Sequence, residues 1–321
     1  MPQPLTDHKE YAVEEVAPDV ARLRIAIVNV YLVGPRRATT SRSTSEWVLV
    51  DAGLPHGAAE ILSVAAARFG VESRPTAIVL THGHFDHVGA LEALLAVWDV
   101  PVYAHVAELP FLTGRRNFPP PDPTVGAAVL ARLAPADASK GVAVGRIRAL
   151  PANGSIPGMP AWRWIHTPGH SPGHVSLFRS SDRLLLAGDA IATTDQASIY
   201  SSVVQRRELA GPPAYFTIDW DKAESSVSAL ASLKPAVLAA GHGEPMSHAT
   251  LAADVAALAR HFRLRTRPIH GRYAVQPALL DDELSALPVS ARSSRVRWGT
   301  LSGVAAATFA GTWLYRRFGR R

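Results

Sequence analysis

The sequence predicts an α/β domain. Three observations carry this: apolar runs of strand length alternate with helically spaced stretches, His and Asp fall where those runs end, and the second half echoes the first. At 321 residues the chain is long for one domain but comfortable for one α/β domain with decorations.

Val20 to Val33 is rich in Val, Ile and Leu and reads as paired strands. Trp47 to Val50 is a strand that runs into the turn Asp51-Ala52-Gly53. Ala58 to Phe69 places Ile61, Leu62, Ala65 and Phe69 at helical spacing and stops at Gly70. Ala77 to Thr81 reads as a buried strand, followed at once by His82-Gly83-His84-Phe85-Asp86-His87. A helix is expected from about Val88 to Val97, with Leu91, Leu94 and Leu95 on one side, then a strand from Val100 to Tyr103.

Between His105 and Pro160 the periodicity weakens, and Phe118-Pro119-Pro120-Pro121-Asp122-Pro123 forbids regular structure. A long surface excursion is expected, with a short helix near Val125 to Leu133, serving either as a binding loop or as plain decoration. Trp162 to His166 is a strand ending in Thr167-Pro168-Gly169-His170-Ser171-Pro172-Gly173-His174. Val175 to Phe178 and Leu184 to Leu186 form the next strand pair, which ends at Gly188-Asp189. A helix from about Lys222 to Leu233 leads to the strand Ala236 to Ala240 and to Gly241-His242-Gly243; the last domain helix spans about Ala249 to Phe262.

The echo lies in the strand ends. Trp47 to Asp51 and Leu184 to Asp189 both end in Asp; Ala77 to His82 and Ala236 to His242 each follow a helix and a Pro and end in His. Two similar halves facing one site are expected.

Composition narrows the chemistry. Without cysteine, disulfides and Cys-based zinc sites are impossible. Seven arginines and no acid lie between Arg292 and Arg321, so removing them from the net charge of +6 leaves a body near −1. The body therefore lacks a nucleic-acid footprint, and no nucleic-acid partner is expected. Met1 to Glu15 has no basic stretch ahead of an apolar core, so no signal peptide is read and the cytoplasm is the expected location.

The strongest signal is His82, His84, Asp86 and His87 within six residues, straight after a strand. Borderline metals such as zinc take imidazole nitrogen and carboxylate oxygen at about 2.0–2.2 Å. His82 and His84 can turn towards one ion, Asp86 and His87 towards a second, with Gly83 letting the backbone bend tightly between them. Ligating imidazoles need an acceptor that fixes their tautomer, and Asp51 is the candidate.

With these motifs the chain resembles the metallo-β-lactamase superfamily, in the branch of glyoxalase II-like thioesterases and lactonases. The likeness runs from about Val28 to Met246: Leu49-Val50-Asp51-Ala52-Gly53, Thr81 to His87, Thr167-Pro168-Gly169-His170, Gly188-Asp189 and Gly241-His242-Gly243 appear in family order. The resemblance implies a four-layer αββα sandwich, of the metallo-β-lactamase type, with two metals in a groove at one edge. It assigns His82, His84 and His170 to the first metal, Asp86, His87 and His242 to the second, and Asp189 to both. His174 is read as a packing or supporting histidine, and His56 lies on a loop that could approach the groove.

The function this implies is dinuclear metal-dependent hydrolysis of an ester, lactone or thioester-type bond in a small-molecule substrate. A hydroxide shared by the metals would be the nucleophile, with Asp86 as the proton relay. Two divalent ions are expected, zinc by default, with manganese or iron suited to the same donors. Two alternatives stand beside it: a mononuclear iron enzyme resembling sulfur dioxygenases, and a non-catalytic metal-binding module. Asp189 and the missing cysteine point away from two β-lactamase classes. Ala192 stands where many lactonases carry tyrosine, and no glutathione-gripping basic region is legible after His242. The fullest likeness is to bacterial metallo-hydrolases that share Gly158-Met159-Pro160, Gly211 to Phe216 and Gly271-Arg272-Tyr273.

Three segments follow: a catalytic domain over residues 1–270, a polar linker over 271–297, and an apolar C-terminal helix with a basic end over 298–321. Trp298 to Tyr315 runs 18 residues without charge. As a helix it would reach about 27 Å at about 1.5 Å per residue, near the thickness of a bilayer core. It is read as a membrane anchor, or else as a terminal helix docked on protein.

Overall fold

The computed structural model describes residues 13–36, 46–126, 147–278 and 280. The body of the helix expected near Val125 to Leu133, most of the linker over 271–297 and the whole 298–321 segment lie outside them. Among the described residues no helix is long and apolar enough to cross a membrane.

Eleven strands are described: β1 (Val13–Ala17), β2 (Val20–Ile25), β3 (Val28–Val33), β4 (Val48–Val50), β5 (Ala77–Val79), β6 (Val102–Ala104), β7 (Ile147–Ala149), β8 (Trp162–His166), β9 (Val175–Arg179), β10 (Leu184–Leu186) and β11 (Val237–Ala239). They form a seven-stranded sheet in the order β1 to β7 and a four-stranded sheet in the order β11-β10-β9-β8. In the first sheet β1 to β4 pair antiparallel and β4 to β7 parallel. In the second, β8, β9 and β10 pair antiparallel, and β10 and β11 parallel.

The echo between the halves thus has a topological form. β4 and β10 lead to the Asp residues, β5 and β11 to the His residues, and each Asp strand lies parallel beside its His strand. Parallel neighbours end on the same side, so Asp51, His82, Asp189 and His242 all leave the carboxyl ends of their strands.

Period-two alternation sorts the core. Leu49 and Ile78 pack with Ile61 and Phe69 of the helix Ala58–Phe69 and with Leu91 and Leu94 of the helix Leu91–Trp98. Val48, Val50 and Val79 alternate to the other face and meet Val175, Leu177, Leu184 and Leu186 of the second sheet. On that sheet's far side Leu185 and Leu238 are fully buried, as are Val227 and Leu230 of the helix Trp220–Ser232 and Val255 of the helix Leu251–Arg260. The layers are helix, sheet, sheet, helix, the sandwich that was expected.

Most expected elements appear within a few residues, and the exceptions have local causes. The helix expected over Val88 to Val97 is two pieces, Phe85–Val88 and Leu91–Trp98. The break falls at Gly89, whose N–H donates to Gly53 O at 2.8 Å instead of back along the helix. β1 and β7 escape a hydrophobicity reading because both are edge strands with exposed positions. β1 carries Glu14 and Glu15, paired with the buried Arg22 and Arg68. Residues 271–278 pack on the body: the Tyr273 hydroxyl donates to Pro120 O at 2.9 Å, and Tyr273 and Ala274 are buried.

Candidate metal centre

Every group singled out at the motifs comes from a connection that leaves a strand, Asp86 and His87 from the short helix Phe85–Val88 within it. The β5 exit delivers His82, His84, Asp86 and His87; the β8–β9 turn delivers His170; β10 and β11 deliver Asp189 and His242. Their donor atoms converge in three sets, each within 4.8 Å: His82, His84 and His170; His82, His87 and Asp189; Asp86, His87 and His242. Asp189 lies between the halves. Its Oδ1 is 3.5 Å from His87 Nε2, and its Oδ2 is 3.4 Å from His170 Nε2 and 3.2 Å from His242 Nε2. Six of the seven residues are buried, and Asp86 keeps a partly exposed edge. His56 is exposed and stays out of the cluster.

Hydrogen bonding fixes the imidazoles. The Thr81 N–H and hydroxyl both donate to Asp51, at 2.7 Å each. The Thr81 oxygen is then left to accept from His82 Nδ1 at 3.1 Å. His87 Nδ1–H donates to Asp51 Oδ2 at 2.9 Å, the role expected of that carboxylate. The Thr217 hydroxyl donates to Pro213 O, so it accepts from His170 Nδ1 at 3.3 Å. His242 Nδ1–H donates to Ile27 O at 2.8 Å. Four imidazoles thus spend their Nδ1 protons on oxygen, which leaves each Nε2 lone pair for the centre. His84 is the exception: its Nδ1 faces inward, 3.0 Å from His170 Nε2.

Electrostatics divides the centre. Burial, helped by neighbouring histidines, holds His82 and His170 well below the usual imidazole range. Burial also pushes His84 down to about 4. Burial opposes charge on His242 too, but Asp189 and Asp86 push it up to about 10. His87 is likewise raised, against burial, by Asp189, Asp86 and Asp51. Against the burial penalty, His242 and His87 hold Asp189 well below the usual carboxylate range. One half therefore offers neutral nitrogens, and the other favours positive charge.

These residues fit divalent cations. His82 Nε2, His87 Nε2 and Asp189 Oδ1 are buried without a hydrogen-bond partner. Orphaned polar atoms at that depth are costly unless a ligand satisfies them. Imidazole nitrogens converging with carboxylates are the donor set of a borderline metal.

Supporting residues carry signals too weak to read in advance. His174, expected to pack or support, has a specific role. Asp189 N–H donates to His174 Nε2 at 2.9 Å, and His174 Nδ1 lies 2.8 Å from Thr167 Oγ1. Burial pushes His174 down to about 3, so the ring is neutral and can accept. His174→Gln keeps an acceptor for the Asp189 N–H, whereas His174→Leu removes it. Zinc titration is expected to show affinity lower by about 10–100-fold for the Leu variant and little changed for the Gln variant; equal losses would refute the role. Asn29 donates from Nδ2 to Ala240 O at 2.9 Å and Gly243 O at 2.7 Å, clamping the loop that carries His242.

The sandwich and its His/Asp centre define a metal-dependent hydrolase. The chain belongs to the metallo-beta-lactamase superfamily, whose model matches residues 24–242. It is 42% identical over 257 residues to the probable metallo-hydrolase YflN of Bacillus subtilis (strain 168), covering 80% of this chain and 96% of that protein. It is 32% identical over 151 residues to a hydroxyacylglutathione hydrolase of Alkalilimnicola ehrlichii, covering 45% of this chain and 46% of the relative. A metallo-beta-lactamase family protein from Thermus thermophilus, TTHA1429, shares the fold at a TM-score of 0.52 and 22% identity, covering 77% of this chain and 80% of that one.

Proposed function

We propose that the protein is a dinuclear hydrolase that cleaves an ester, lactone or thioester bond in a small molecule. His82, His84 and His170 would hold one cation, Asp86, His87 and His242 the other, and Asp189 both, with zinc as the expected ion. The supporting observation is the reach of Asp189, whose two oxygens lie within 3.2–3.5 Å of histidines from both halves. Bound divalent ions supply Lewis acidity, which makes water nucleophilic near neutral pH and polarises the acyl oxygen.

The chain's own groups do the positioning. The Nδ1 anchors hold four imidazoles in place, so little reorganisation accompanies reaction. The rings of Phe118 and Phe216 lie 4.9 and 4.8 Å from the His84 ring and give the first half an apolar wall. Asp86 has 13% of its side chain exposed against 3% for Asp189, which puts it at the rim where substrate and water arrive. Its carboxylate can take a proton from the attacking water and return it to the leaving oxygen or sulfur.

The test is one purified sample assayed for metal and then against lactones, aryl esters, glutathione thioesters, phosphodiesters and a cephalosporin. Hydrolysis confined to the first three classes, lost on chelation and restored by zinc, is the expected result. Cleavage of phosphodiesters alone, or a protein that binds no metal, would overturn the reading. Compared at equal metal occupancy, Asp86→Asn is expected to lower kcat by about 10²–10⁴-fold; an unchanged kcat would refute the relay.

A further inference from the structure

Glu108 is a carboxylate at 0% exposure that no motif singles out. It ends the short 3₁₀ turn Val106–Glu108, which follows β6. Three hydrogen bonds reach its carboxylate, all from loops that carry histidines. Oε2 accepts from the N–H of Gly83, the residue between His82 and His84, at 2.9 Å. Oε1 accepts from the Ser171 hydroxyl and the Gly173 N–H, at 2.7 Å each, and Ser171 follows His170 directly. One side chain thereby joins two segments that lie 25 and 63–65 residues away along the chain.

The glycines of both motifs make room for it. Gly83 is not in the left-handed region, so the tight bend expected there is not why it is glycine. A Cβ on Gly83 would lie 3.2 Å from Glu108 Oε2 and 3.0 Å from both Leu112 and Phe118. A Cβ on Gly173 would lie 2.7 Å from Glu108 N and 2.8 Å from its Cγ. Close approach to Glu108 therefore constrains the Gly173 loop, and Gly83 sits tightly between Leu112, Phe118 and Glu108. Burying a carboxylate is unfavourable, and a neutral amide would be cheaper to bury. Three donors with no acceptor explain the choice, because an amide would turn its own N–H groups against at least one of them.

We propose that Glu108 is a positioning residue for the first half of the centre, holding His82 and His84 in register with His170. The proposal rests on the reading that these three hold a cation. The other half has separate supports: Asp51 on His87, and Ile27 O and Asn29 on His242 and its loop. Glu108 therefore governs one ion site and leaves the other alone.

The test is zinc titration of the metal-free full chain against a chromophoric chelator. His84→Ala identifies the binding event that belongs to the first half. Glu108→Gln is expected to weaken that same event by about 10–100-fold and to leave the other unchanged. Ser171→Ala, which keeps the carboxylate and two of its three donors, is expected to weaken it less and guards against misfolding of the Gln variant. Equal weakening of both events, or none, overturns the proposal. A wild-type chain that binds no zinc overturns the dinuclear reading and this proposal with it, whereas two wild-type events with unselective variants sink only the proposal.

Discussion

Asp189→Asn is expected to lower kcat/KM by at least about a thousandfold, or about 4 kcal/mol of transition-state stabilisation. The substitution preserves shape but removes the negative charge that faces His87, His170 and His242. It also sets amide N–H groups against nitrogens whose lone pairs point inward, which blocks the shared position. Without the Asp189 charge, His242 loses its largest raising influence, and the half that favours cations is weakened. Metal analysis beside the kinetics should show fewer ions per chain. The backbone bond from Asp189 N–H to His174 survives the change, so the local fold has no reason to fail. A rate within tenfold of wild type, with full metal content, would refute the bridging role.

Trp47→Ala is expected to cost about 3–5 kcal/mol of stability, read as a lower urea midpoint at unchanged m-value. Trp47 is fully buried, stacks on Phe69 at 4.4 Å and meets the edge of Trp98 at 5.5 Å. Its Nε1–H donates to Ser73 Oγ at 2.9 Å, so truncation opens a large cavity and also strips a buried hydroxyl of its partner. Metal-free protein should show the same loss, because Trp47 belongs to the helix-facing core, apart from the centre. A loss below about 1 kcal/mol would mean that the surrounding helices collapse into the space.

These two residues differ in how far the sequence announces them. Asp189 is legible because a buried strand ending in Gly-Asp repeats the pattern of Val50-Asp51, and repetition at strand ends is visible without a fold. The same holds for His82 and His242, and for the helix Ala58–Phe69, whose bounds match the periodicity. Glu108 and Asn29 are not legible in this way. Asn29 acts on carbonyls 211 and 214 residues away, so its purpose exists only once the β2–β3 hairpin lies beside the His242 loop. Glu108 similarly depends on two loops meeting. Residues 190–219 offer little periodicity, and nothing in their pattern announces the short helix Ile199–Val204.

A strand leading to Asp beside a strand leading to His, in each sheet, separates two duties. Chemistry is confined to the connections at one rim, while the packed valines, leucines and aromatics behind it carry stability. Connections can be lengthened or exchanged with little disturbance to the layers beneath. Drift in substrate preference can therefore proceed at the rim of such a scaffold without first weakening the fold that holds it.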